Sequence, residues 1–326
     1  MDTEKQVAGL VQRAYDKLKA FSAESEADLQ ISETLQGAAA LLEDALMIDF
    51  DSDKVKHALM SVEWWHVRLS RIEEIQDSYE KGEFILSRLR QYYAFLDETL
   101  FYPDDLCQYE VRRFVFSCAL CCFRDLLGDG VNQHDPGLLL LVGRCYKGVG
   151  DYEEAFRYIE QAARFRRDDS ETLAELADVN ALLGEAEKAK VLFREAFFLD
   201  PGKIDLCMME SEIILRLQNK IAREKGYRED ELREWMPVYG KLWGLFSVIR
   251  DLKPVEFGRL KQSILTMETE CRGNPSRGPT LKPRLINRYF WLIDYYDVRK
   301  EDPYLREEVL LKIKVTDPEI YERYIQ

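Results

Sequence analysis

Three histidines, at positions 57, 66 and 134, and a Cys118-x-x-Cys121-Cys122 group are the side chains whose chemistry would go beyond packing. A histidine pair shares a metal when it stands one helical turn apart. His57 and His66 are nine residues apart, which at about 100° per residue puts them on opposite sides of a helix. Closely spaced cysteines make half of a zinc or redox site when they stand at an exposed helix start. These lie inside the apolar run from Phe114 to Phe123, which reads as a buried helix, so core thiols are the expectation. Asp49, Asp51 and Asp53 begin like a calcium loop, but Lys54 stands where the loop needs glycine and Met60 where it needs a bidentate Glu. A helix cap at Asp51 or Asp53 accounts for the acids. Gly148-Val-Gly150 lacks the third glycine of a dinucleotide fingerprint and follows no strand. The sequence thus nominates no catalytic residue, no metal ligand and no cofactor.

The elements that carry these residues are helical. The 326 residues are 46% hydrophobic and 33% charged, with only 17 Gly and 10 Pro, a composition that favours long helices and an all-α class. The formal charge of −14 opposes binding to nucleic-acid phosphates or anionic lipid. That charge is N-terminal: residues 1–135 hold 26 acids and 14 bases, whereas residues 204–326 hold 21 and 22. Phe114 to Phe123, bracketed by Arg113 and Arg124, falls short of the roughly 18 residues of a membrane span. The polar start Met-Asp-Thr-Glu-Lys is unlike a secretory signal, so the expectation is a cytoplasmic protein with no membrane partner. Five of the seven cysteines (Cys107, Cys118, Cys121, Cys122 and Cys145) have apolar neighbours, and reduced thiols are expected.

A period of 34 residues organises the middle of the chain: 136–169 align on 170–203 without a gap. Gly143 falls on Ala177, Tyr146 on Asn180, Gly150 on Gly184, Ala155 on Ala189, Ile159 on Phe193 and Ala162 on Ala196. Leu139, Val142, Gly143 and Tyr146 share one helical face, on which the small Gly143 admits a close neighbour. Gly150 ends that helix, Asp151 opens the next, and Ala155, Ile159 and Ala162 are its inward stripe. These residues resemble the tetratricopeptide repeat, with its small residue, Gly, Tyr, Ala and closing Pro, here Pro201. The first copy departs from the pattern with Arg167 at the closing position. A third copy is expected to start at Ile204, with Leu206, Cys207, Glu210, Ser211 and Ile214 on a first helix, and to fade after Leu217. A fourth trace lies at 34–50, through Ala38, Leu42 and Ala45.

Helical patterns continue near 4–21, 31–48, 53–75, 82–98, 106–127, 228–250, 255–271, 284–299, 303–314 and 318–325. Two Gly and three Pro mark 272–283 as an exposed loop. The reading is therefore an α-solenoid in three parts: diverged helical repeats over 1–135, repeats over 136–217, and a C-terminal helical region over 218–326.

In the tetratricopeptide family the first helix of each repeat lines a concave groove. The resemblance places Leu140, Arg144 and Lys147 on that face in the first copy, Glu171, Glu175 and Asp178 in the second, and Asp205, Met208, Met209 and Glu212 in the third. This face lacks the Lys and Asn set with which some members clamp a C-terminal carboxylate. It implies a noncatalytic scaffold or adaptor that binds a peptide or helix of another protein. A basic segment suits the acids, and Arg272, Arg277, Lys282 and Arg284 of the chain's own loop supply one. Bound between chains, that loop gives a homo-oligomer. The alternative is a small-molecule-binding or enzymatic protein with its site among the aromatic flanks, at Trp64-Trp65, Tyr92-Tyr93, Trp235, Trp243, Tyr289-Phe290-Trp291 and Tyr295-Tyr296.

Overall fold

The run from Phe114 to Phe123 has almost no polar side to turn toward water, so its helix belongs at a centre. A computed structural model describes residues 2–21, 27–128, 134–274 and 277–326 and shows that placement. The described residues form fifteen α-helices and three short 3-10 turns, with no strand, and most helices pack on the next in sequence. None is long and apolar enough to cross a membrane. The chain divides into two units, 1–165 and 166–326, and the division falls four residues before the end of the first 34-residue copy.

The first unit holds α1 (Asp2–Ala20), α2 (Ala27–Ile48), α3 (Asp53–Leu69), α4 (Ser78–Thr99), α5 (Asp105–Gly128), α6 (Pro136–Val149) and α7 (Tyr152–Phe165). Helix α5 is its axis: α1, α2, α3, α4 and α6 all contact it, and every side chain from Phe114 to Phe123 is buried. Short polar residues set the ends. Asp135 caps α6 by accepting the Leu138 N–H at 2.7 Å, with Pro136 in the first turn. Gly150 ends α6 at φ +96°, a left-handed conformation that needs glycine, and Asp151 accepts the Glu154 N–H at 3.1 Å to open α7. Gly143 lets α7 approach: a Cβ built there would overlap Ile159 and lie 3.2 Å from the Ala155 carbonyl. The α3 pattern ends at Leu69 rather than 75, and Ile72–Glu74 forms a separate 3-10 turn.

The second unit holds α8 (Ser170–Leu182), α9 (Ala186–Leu199), α10 (Glu212–Lys225), α11 (Glu229–Leu242), α12 (Pro254–Gly273), α13 (Gly278–Arg299), α14 (Pro303–Thr316) and α15 (Pro318–Ile325). Asp169 caps α8 through the Thr172 N–H at 3.0 Å and hydroxyl at 2.6 Å. Gly184 turns the chain at φ +86°, and Ala189, Phe193 and Ala196 are buried on α9. A second core gathers on α13, where Leu285, Ile286, Tyr289, Phe290, Trp291 and Ile293 are buried.

Two expectations fail here. No helix spans 204–211; Pro201–Lys203 and Leu206–Met208 are 3-10 turns, and α10 starts only at Glu212. Side-chain caps are the reason, since Asp200 accepts the Gly202 N–H and Asp205 the Cys207 N–H, stopping the helix twice. Nor is 272–283 one loop. Helix α12 runs to Gly273 and α13 begins at Gly278, taking Pro279 into its first turn, where a missing N–H costs nothing, and Pro283 inside the helix.

Candidate functional site

The expected concave face is mostly interior. In the first unit Leu140, Arg144 and Lys147 are buried, Lys147 to 2% exposure, because α6 is packed by both α5 and α7 and keeps no long free face. In the second unit Glu175 and Asp178 are 0% exposed. The Asp178 carboxylate accepts the backbone N–H groups of Glu210 and Ser211, each at 2.9 Å, so the irregular segment before α10 lies over α8. Met208 and Met209 are buried with that segment. Glu171 and Asp205 are half-buried; Glu212 alone of this set is exposed, and it pairs with Arg216 one turn along. These side chains therefore do not line an open peptide groove.

The basic segment is engaged as well. Arg277 meets Glu270 at 3.1 Å and Lys282 meets Asp317 at 2.8 Å. Arg284 makes a two-pronged ion pair with Glu234 and reaches Asp200 at 2.9 Å. A helix turn cross-linked in this way is not a loose arm. Of its cations Arg272 is the exception: it is exposed, and among the described residues no carboxylate pairs with it.

The residues singled out for their chemistry scatter. His57 Nδ1 lies 3.0 Å from the Tyr102 carbonyl and His66 Nε2 3.5 Å from the Ser32 hydroxyl, in separate surroundings. Cys118, Cys121 and Cys122 are buried in α5 with no disulfide, and burial holds the Cys118 thiol well above its ordinary value. The cap before α3 is Ser52, without a side-chain bond, and Asp53 is the first helical residue. Gly148 serves packing, since a Cβ there would overlap the Phe116 ring. Among the described residues no three His, Cys, Asp or Glu side chains come together to hold a metal ion.

Among the described residues a concave place of about 320 Å³ lies in the first unit against His134, Arg157 and Tyr158, and two others, one in each unit, are walled by aromatic or apolar side chains. In the second, α12 and α14 stand on either side of α13 and leave a groove of about 590 Å³. Its floor is Leu285 and Tyr289, one turn apart and both buried, and α14 contributes Leu311 and Val315, 60% and 86% exposed. The polar groups are ordered around one carboxylate: Glu268 accepts the Tyr289 hydroxyl at 2.8 Å and the Lys312 ammonium at 3.1 Å. Burial, then that bond to Glu268, pushes the Tyr289 phenol far up, so it stays a donor at any physiological pH. Arg272, Lys282 and Lys312 outnumber Glu268 and Glu308 along the lining. Cys271 also lines it, with a thiol raised by partial burial and by Glu270. Leu311 and Val315 were legible as a second apolar stripe on α14, beside the buried Val309, Leu310 and Ile313.

In the first unit a smaller cavity of about 150 Å³ lies among α3, α4 and α5. Trp65, Tyr92, Tyr93 and Tyr109 wall it, with Gln108 and Arg112 beside them. The rings of Trp65 and Tyr92 are 5.4 Å apart and those of Tyr92 and Tyr93 5.9 Å. Trp64-Trp65 and Tyr92-Tyr93 stood out in the sequence; Gln108, Tyr109 and Arg112, on a helix read only as apolar core, did not. Compared with protein-family models, with curated proteins and with solved structures, the chain matches none.

Proposed function

We propose that the chain is a noncatalytic interaction scaffold built from helix pairs of the tetratricopeptide type, and that it receives an amphipathic helix of another protein in the groove between α12 and α14. The observation that carries the reading is the exposure of Leu311 and Val315 above a floor of Leu285 and Tyr289. An apolar strip between charged rims is what a helix presenting apolar residues one turn apart can cover. The lining has one more cation than carboxylate, and Arg272 is the cation left over. The partner helix should therefore carry an acid beside its apolar pair, rather than a basic character, since Glu175 and Asp178 are buried and present no charge to a partner.

Selection of a displayed helical-peptide library on the full chain tests this. Recovered peptides should share the apolar pair and the acid, and should lose about tenfold in affinity, about 1.4 kcal/mol, on Leu311→Asp. Leu311 is exposed, so that substitution leaves the core intact. Peptides that bind equally well to Leu311→Asp, or no enrichment at all, would sink the reading.

A further inference from the structure

The turn between α4 and α5, in the first unit, displays apolar side chains that its own packing leaves uncovered. Leu100, Phe101 and Tyr102 are all exposed, Leu100 to 73%, and Leu106 in the first turn of α5 is exposed as well. The turn is nonetheless firmly held. Its Tyr102 carbonyl lies 3.0 Å from His57 Nδ1 of α3, the Phe101 ring stands 5.0 Å from the His57 ring, and Asp104 pairs with Lys54 at 2.7 Å. The Gln108 amide donates to the Pro103 carbonyl at 2.7 Å. The α2–α3 turn, at the same end of α3, adds Phe50, 74% exposed, with Lys56 over its ring at 5.4 Å. A pinned backbone that keeps large apolar groups in water marks a surface that a partner covers.

Two local costs point the same way. Leu100 ends α4 at φ +56°, the left-handed region that favours glycine or asparagine, and gains no burial there in return. Asp97 and Glu98 lie in the last turn of α4, where the helix dipole favours cations and that turn carries none. The charge around the apolar groups is acidic. Lys54 and Lys56 are matched by Asp104 and Asp53, at 2.7 and 3.9 Å, and Asp97 accepts the Tyr102 hydroxyl at 2.9 Å. Asp49, Asp51, Glu98 and Asp105 are exposed, and among the described residues no cation pairs with them. These carboxylates repel an anionic bilayer, and apolar groups set among unmatched acids complement apolar groups set among cations. We propose that the surface formed by the α4–α5 turn and Phe50 docks a cationic amphipathic segment of another protein. Apolar side chains of that segment cover Leu100 and Phe101, and its Lys or Arg residues meet Glu98 and Asp105.

An amphipathic leucine–lysine peptide and its leucine–glutamate counterpart are the probes. The lysine peptide, labelled with fluorescein and titrated with the full chain in physiological salt, should saturate by anisotropy. Leu100→Asn removes the most exposed apolar side chain of the turn and should weaken it at least about tenfold. The melting temperature should hold or rise, because asparagine tolerates the left-handed backbone. Glu98→Lys should weaken the lysine peptide about threefold or more, again without loss of stability, since a cation suits the end of α4. A merely structural role for either residue predicts the reverse, unchanged binding and a lower melting temperature. The glutamate peptide should not displace the lysine peptide, and Leu311→Asp should leave its affinity unchanged, which keeps this result apart from that of the groove between α12 and α14. No saturation by the lysine peptide, equal affinity for wild type and either variant, displacement by the glutamate peptide, or loss of binding on Leu311→Asp would each overturn the proposal. So would flotation of the chain with phosphatidylcholine vesicles that Leu100→Asn abolishes, since the surface would then belong to a bilayer.

Discussion

The carboxylate of Asp178 accepts the backbone N–H of Ser211 at 2.9 Å, thirty-three residues away in sequence, and that of Glu210 at the same distance. A helix face that periodicity offers to solvent is thereby converted into an anchor for the chain's own next segment. Met208 and Met209, carried by that segment, go into the interior with it.

Asp178→Ala should therefore cost about 2–3 kcal/mol, because it leaves one buried and one part-buried backbone donor without their acceptor. Hydrogen exchange separates this local effect from a general loss of stability. The amides of Glu210 and Ser211 should exchange faster relative to those of α9, and unchanged protection at these two positions would contradict the anchoring role.

Glycine positions give a second contrast. Gly148→Ala pushes a methyl group into the Phe116 ring and should destabilise by about 1–3 kcal/mol. Gly9, exposed in α1 with nothing within 4 Å of its missing Cβ, should respond the other way, Gly9→Ala gaining about 0.5–1 kcal/mol. Denaturant melts of the pair would reveal the opposite signs.

What the sequence made legible follows from how local each interaction is. Gly143, Gly150 and Asp151 act within one helix pair, and their spacing alone located α6 and α7. Asp178 was misread because its partners arrive from a segment whose own pattern resembles a helix start, and the stops at Asp200 and Asp205 depend on side-chain capping that periodicity does not see. Pro279 and Pro283 signalled a loop by composition, yet α13 contains both. Arg112 and Tyr109 gained their meaning only when α3 and α4 brought Trp65 and Tyr92 beside them.

Acid should act through Asp104, which joins three helices of the first unit. It caps α5 by accepting the Cys107 N–H at 2.8 Å, accepts the Tyr15 hydroxyl of α1 at 3.3 Å, and pairs with Lys54 of α3 at 2.7 Å. Burial pushes its carboxyl up, but Lys54, Cys107 and Tyr15 together outweigh burial and hold it below the ordinary value. A lowered folded-state pKa gives stability that is complete above the unfolded value and lost as pH falls through the folded one. Asp104→Asn should be less stable near neutrality and should lose less on acidification to about pH 3, so that the two stability curves converge. Parallel curves would remove Asp104 from the acid response.

Cys271 reports on the groove. Burial and Glu270 raise its thiol above the ordinary value, so less of it is thiolate at neutral pH. Alkylation by iodoacetamide, followed peptide by peptide in the mass spectrometer, should be slower than for a free cysteine, and its rise should be displaced to higher pH. A helical peptide seated over Leu285 and Tyr289 should slow it further. A rate at Cys271 that matches free cysteine across the pH range would contradict both the burial and the charge effect.

The second unit also contains a buried charge cluster whose removal has an ordering. Asp294 of α13 pairs with Arg194 of α9 and accepts two hydrogen bonds from Lys241 of α11, at 2.8 and 2.9 Å. Arg194 also donates to the Val248 carbonyl and stacks over the Trp291 ring at 4.3 Å. Asp294→Ala strips the counter-charge from two enclosed cations and should cost about 3–5 kcal/mol. Lys241→Met leaves Arg194 paired with Asp294, and should cost less. The triple change Arg194→Met, Lys241→Met and Asp294→Leu removes every charge of the cluster while keeping much of its volume, and should be more stable than Asp294→Ala alone. Urea denaturation of the four chains, read by the tryptophans at 235, 243 and 291, gives the order directly. A triple variant weaker than the single alanine would mean that the cluster stabilises the unit through its charges rather than through the space they fill.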